Sequence, residues 1–120
     1  MNLRNTVRGI GIAAAISVSS LAMADDMGPQ LKGDQIVKAL VGVHLHGITP
    51  KGKLWGGVYK SDGTVTYDGG GTGTWRVDGD QFCDHASGDK EYCLTVYKLG
   101  DKKYQWMRSG GAKGSLVTVE

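Results

Sequence analysis

His44 and His46 stand two residues apart in Val43–Ile48, which reads VHLHGI. In an extended strand residues i and i+2 point to one face, so this spacing offers two adjacent imidazoles to one metal, zinc or copper by ligand type. His85, with Asp84 beside it, is the third histidine of the chain and the candidate third ligand. A four-coordinate site needs more than two protein ligands, so the pair alone is expected to bind no better than micromolar. The plainer reading is two solvent-facing histidines on a strand, and no cofactor is expected.

Cys83 and Cys93 are the only cysteines. If they face each other across a hairpin, Asp84 stands opposite Tyr92, His85 opposite Glu91 and Ala86 opposite Lys90. That leaves Ser87-Gly88-Asp89 as a three-residue loop, a known hairpin length. Closing so short a ring adds roughly 2.5–3 kcal/mol in the chain-entropy view. A redox or metal-binding role is disfavoured because the C-x-x-C spacing is missing.

Catalytic patterns are lacking. There is no Gly-x-Ser-x-Gly, no His-Glu-x-x-His and, once the disulfide forms, no free thiol. Asp62, Asp68, Asp78, Asp80 and Asp101 all fall in turns, where aspartate has a structural task. The glycine-rich run Gly69–Gly73 is followed by no helix start that could hold a phosphate. Haem attachment lacks its Cys-x-x-Cys-His. The chain is therefore read as a non-enzyme.

The elements that must position these residues are short strands. Leu54–Cys83 alternates runs rich in Val, Thr, Tyr and Trp with Ser-Asp-Gly, Asp-Gly-Gly-Gly and Asp-Gly-Asp, which reverse the chain. The same rhythm predicts strands over Val43–Ile48, Leu54–Tyr59, Thr64–Tyr67, Thr72–Val77, Gln81–His85, Tyr92–Leu99, Tyr104–Arg108 and Ser115–Val119. No stretch supports a helical crossover. The fold class is all-β, a small antiparallel up-and-down barrel of about eight strands with one short N-terminal helix. That helix is expected over Gln35–Val41, capped by Asp34 and stopped by Gly42. Trp75, beside Gly73, is expected at the centre of the core.

Residues 1–24 have the form of a cleaved leader. Arg4 and Arg8 precede the uncharged, apolar Gly9–Leu21, and Ala22-Met23-Ala24 is a small-x-small cleavage pattern. The expected organisation is a signal peptide at 1–24, a flexible N-terminus at 25–33 and one barrel domain at 34–120. Export also suits a disulfide, placing the protein in the periplasm or outside the cell. With Arg4 and Arg8 removed, 12 basic residues balance 12 acidic ones. Phosphate-driven binding to nucleic acid is thereby disfavoured, and the mature chain has no membrane span.

The order of motifs has a resemblance. A short helix leads to a strand ending in Gly-x-Thr-Pro-x-Gly (Gly47–Gly52), and a strand ending at Tyr59 precedes Asp62-Gly63-Thr64. Gly-x-Trp-x-Val-x-Gly-Asp-x-x-Cys follows at Gly73–Cys83, then a second cysteine and a last strand after a glycine-rich turn. From about Asp34 to Val119 this resembles small secreted proteobacterial proteins of unknown function with calycin-like or lipocalin-like barrels. The resemblance implies fold and compartment and transfers no site residue.

The surplus of aromatic residues on the strands carries the functional expectation. Closed barrels of this size can hold one small ligand at an open mouth. The expectation is a binding protein for a small apolar or aromatic molecule, with Trp55, Tyr59, Trp75 and Trp106 as candidate lining. The alternatives are a transition-metal protein using His44 and His46, and a filled barrel that acts as an interaction or inhibitor module on an envelope protein.

Overall fold

The computed structural model describes residues 27–120; the leader and its cleavage after Ala24 lie outside them. One helix, α1 (Gly33–Leu40), precedes β1 (His44–Ile48), β2 (Leu54–Tyr59), β3 (Thr64–Tyr67), β4 (Thr72–Asp78), β5 (Gln81–Ala86), β6 (Tyr92–Gly100), β7 (Lys103–Arg108) and β8 (Lys113–Val119). The strands form a closed antiparallel barrel in sequence order, and β8 returns to pair with β1. Ile48 stands opposite Leu116 at that seam, and Leu45 opposite Val119.

Alternation sorts the side chains. Leu45, Tyr59, Val65, Phe82, Leu94, Val96, Trp106 and Val117 point inward and are buried. Thr64, Thr74, Arg76 and Thr118 face solvent. The centre of the core is Tyr59, Phe82 and Trp106, with ring centroids 5.0 Å apart for Tyr59–Phe82 and 5.6 Å for Phe82–Trp106. Such tilted aromatic contacts add to the area they bury.

Trp75 is not that centre. It is half-buried, lies 5.8 Å from Phe82, and donates its indole N–H to the Lys60 carbonyl at 2.7 Å. The space beside Gly73 holds no ring. A Cβ there would collide with the backbone of β5 at His85 and Ala86. The glycine serves strand-to-strand approach.

Up-and-down connectivity puts alternate turns at opposite ends. α1 covers the end that carries the β2–β3 and β4–β5 turns, burying Ile36 and Leu40 completely. Gly42, at positive φ, ends the helix by donating its N–H to the Tyr59 carbonyl at 2.7 Å. Asp34 is not the cap. It sits in the first turn, while Asp80 of the β4–β5 turn accepts the Gly33 N–H at 3.0 Å and Gln35 accepts the Lys32 N–H at 2.8 Å. A partner distant in sequence thus satisfies a free helical N–H and moves the helix start.

Gly28–Leu31, expected to be loose, lies along β6. Gly28 N–H reaches Lys98 O at 2.8 Å, Lys98 N–H reaches Pro29 O at 3.0 Å, and Leu31 N–H reaches Val96 O at 2.8 Å. Pro29 contributes only its carbonyl, which is all a proline can offer to a strand edge.

Cys83 and Cys93 are joined, and they face each other in the β5–β6 ladder. Asp84 opposes Tyr92 as expected, but the ladder stops there. A turn with Asp89 N–H on Ala86 O closes the hairpin, and His85 donates toward or accepts from no strand partner's side chain; its Nε2 lies 2.8 Å from Asp89 O.

Candidate functional site

The end opposite α1 is open. Its rim comprises the β1–β2, β3–β4, β5–β6 and β7–β8 turns, and within it lies a cavity of about 420 Å³. That size falls within the usual range for small-ligand sites. Trp55, Tyr59, Tyr67 and Tyr92 supply aromatic walls, Ser115 and Ala86 fill between them, and Lys53 and Asp89 stand near the entrance. Trp106 packs 5.3 Å from Trp55 and lines a smaller adjoining cleft of about 140 Å³.

Strand geometry explains the arrangement. Trp55 lies opposite Gly47, where any side chain would collide with the indole, so the glycine lets the ring lie across β1. Ser115 of β8 accepts the Trp55 indole N–H at 3.0 Å and fixes its tilt. Trp106 has no such partner. Its Nε1 is the one buried side-chain polar atom among the described residues without a hydrogen bond.

Asp84 is the chemical centre of the mouth. It is only 3% exposed, an uncommon position for a carboxylate. Tyr59 donates its hydroxyl to Oδ2 at 2.5 Å, and Tyr67 donates to Oδ1 at 2.7 Å. Burial holds both phenols well above the usual tyrosine range, and the Asp84 carboxylate reinforces the effect. The hydroxyls therefore remain protonated donors. Each carboxylate oxygen keeps a lone pair after these bonds, so Asp84 can still accept a hydrogen bond from a bound molecule.

A wider depression of about 550 Å³ runs between the N-terminal arm and α1. Its polar groups are the exposed side chains of Gln30, Lys32, Gln35, Lys38 and Lys98 and the hydroxyl of the buried Tyr104, and it holds no buried charged group to orient a ligand. The mouth is the better candidate.

Of the residues singled out from sequence, Trp55 and Tyr59 line the mouth and Trp106 lines the adjoining cleft. Trp75 packs toward the β2–β3 turn, at the closed end. Sequence reasoning missed Tyr67 and Tyr92 as lining and Asp84 as the buried acid. The signal for Asp84 was present: opposite Tyr92 and next to the disulfide, it alternates onto the face of Phe82.

His44 and His46 are together on the outer wall, their rings 4.4 Å apart, while His85 lies on β5, away from β1 and its neighbours β2 and β8. Two carboxylates join them instead. Glu120 Oε1 lies 3.0 Å from His46 Nε2 and in hydrogen-bond contact with His44 Nδ1. Asp68 approaches His44 Nε2 with both oxygens, at 2.9 and 3.0 Å. The Asp68 and Glu120 bonds hold the His44 imidazole above its ordinary value, and the histidines in turn hold Glu120 below the usual carboxylate range. Cys83, Cys93 and Glu91 also cluster, but the sulfurs are spent on the disulfide.

The fold and site define a closed eight-stranded up-and-down barrel with one end covered by a helix and an aromatic, acid-floored mouth at the other. Compared with family models, curated proteins and solved structures, the chain matches none.

Proposed function

We propose that this is an exported, non-catalytic binding protein that holds a small, largely apolar or aromatic molecule in the barrel mouth. One observation carries the reading: a carboxylate 3% exposed lies at the base of an open cavity walled by aromatic rings. The rings suit an apolar body, and Asp84 suits a hydroxyl or ammonium group at its tip. An ammonium would also gain from the faces of Trp55 and the tyrosines. The disulfide supports an oxidising compartment.

Native mass spectrometry of the protein purified from the periplasm or medium tests the reading in one measurement. The expected species begins at Asp25, has its cysteines joined and carries a small organic adduct. Asp84→Asn and Trp55→Ala should each lower adduct occupancy at least tenfold while near-ultraviolet dichroism shows a folded barrel. A bare protein whose tryptophan fluorescence also ignores a panel of aromatic amines and alcohols would overturn the carrier.

A second reading rests on a separate observation. Ile48, Leu54 and Leu116 form an exposed apolar patch on the outer wall, with Leu54 and Leu116 each opposite Ile48. Such a patch suits a protein partner. A Leu54→Lys, Leu116→Lys double variant that loses its envelope partner yet keeps its adduct would favour this reading.

A further inference from the structure

The outer-wall cluster has a geometry that its hydrogen bonds alone do not balance. His44 and His46 project from one face of β1. Glu120 is brought to them by the barrel's closing seam, where its N–H bonds to the His44 carbonyl at 3.0 Å. Asp68 comes from the β3–β4 turn, held by its own N–H on the Gly56 carbonyl at 3.0 Å. Gly56 has no side chain for a spatial reason: a Cβ there would collide with the Asp68 carboxylate. Three separate elements thus converge on one spot.

A neutral imidazole has one donor nitrogen and one acceptor. Asp68 offers two oxygens to His44 Nε2, and a carboxylate can only accept, so Nε2 carries the hydrogen. His44 Nδ1 then presents its lone pair toward Glu120 Oε1, which His46 Nε2 also faces. His46 Nε2 can donate to that oxygen, but the His44 Nδ1 lone pair and the Glu120 carboxylate point at each other, and the three atoms lie within 4.8 Å of one another. Only a positive centre can sit comfortably between them, either an added proton or a metal ion.

We infer that His44 Nδ1, His46 Nε2 and Glu120 form a binding site for a late first-row divalent cation of the zinc–copper type, with Asp68 as its positioning residue. Two imidazoles and one carboxylate are the donor set such ions accept, and a fourth position stays open to water. Asp68 on the far nitrogen of His44 repeats the carboxylate–histidine–metal relay that fixes the tautomer and ring angle of a ligand. Glu120 replaces His85, the third ligand expected from sequence. All four side chains are partly exposed, from 34% for His44 to 63% for Glu120, so an ion reaches the site directly from solvent. The site is on the outer wall and is independent of the mouth.

Titration calorimetry with Zn²⁺, and electron paramagnetic resonance with Cu²⁺, test this on the folded protein. The expected result is one ion per chain, with a copper spectrum showing two nitrogen ligands. His46→Ala and Glu120→Gln should each abolish saturable binding. Asp68→Asn should weaken it by about 10–100-fold while keeping both nitrogens in the spectrum. Gly56→Ala should do the same by displacing Asp68, and His85→Ala should change nothing. Unchanged affinity in His46→Ala, or in Asp68→Asn, would refute the assignment. So would histidine NMR signals that titrate with pH and do not respond to either ion, which would show that the positive centre is a proton alone.

Discussion

At the scale of single residues, Asp84 and its two tyrosines hold the barrel's most consequential polar contact. The phenols give up their protons at pH 10 in an unfolded chain, whereas burial and Asp84 raise that value in the folded one. Below pH 10 both states hold these protons, and the stability they confer is fully present. As the pH climbs from 10 toward the raised values, the unfolded chain loses protons the folded chain keeps, so stability falls. Absorbance at the phenolate band should show Tyr59 and Tyr67 ionising only as the fold opens. Tyr59→Phe should remove the share of this alkaline sensitivity that Tyr59 contributes and leave that of Tyr67; a variant with the wild-type profile would show that Tyr59 is not one of its sources. Sequence made the aromatic types visible but not this triad, because Tyr59 and Asp84 are brought together by inward alternation on strands that are not neighbours. Glu120 and Asp68 were hidden for a related reason: only the β1–β8 closure and the β3–β4 turn bring them to β1. His44 and His46 were legible because strand period alone makes them adjacent.

At the scale of elements, the turn chemistry made the strands legible to within one or two residues at each end. Ser-Asp-Gly, Asp-Gly-Gly-Gly and Asp-Gly-Asp each contain a glycine at positive φ, namely Gly63, Gly70 and Gly79. The helix start and the N-terminal arm were less legible, since Asp80 and the edge of β6 fix them from a distance. The β5–β6 hairpin was read from its cysteines, and it carries the clearest element-scale prediction. The Cys83–Cys93 bond closes a loop with a sequence separation of 10. Replacing both cysteines with serine should lower unfolding free energy by about 2.5–3 kcal/mol, mainly by freeing the unfolded chain. Denaturant titration should find the midpoint lowered. Cys83 is fully buried, so a further loss is expected from the serine hydroxyl placed there. An unchanged midpoint would show that the pairing of β5 with β4 and β6 already fixes the hairpin.

At the scale of the whole molecule, closure is the property on which both candidate sites depend. An open sheet would leave β1 and β8 as edges, separate Glu120 from His44, and remove Ser115 from Trp55. Closure gives every strand two neighbours, so each interior strand N–H is committed to one side or the other. Along β8, Val119 donates to Lys102 O on the β7 side and Glu120 donates to His44 O on the β1 side. Alternation therefore assigns the Thr118 N–H to the β1 seam, where Thr118 stands opposite His46. Proline at 118 would delete that donor while changing little else, because the Thr118 side chain is exposed. In an open sheet a proline on an edge strand is tolerated. Thr118→Pro should instead destabilise the protein as much as Thr74→Pro, an equally exposed position in β4 between β3 and β5. It should also expose strand edges, seen as concentration-dependent association by light scattering. If Thr118→Pro remained monomeric and near wild-type stability while Thr74→Pro unfolded, the seam would be open in solution, and the metal cluster that depends on it would fail with it.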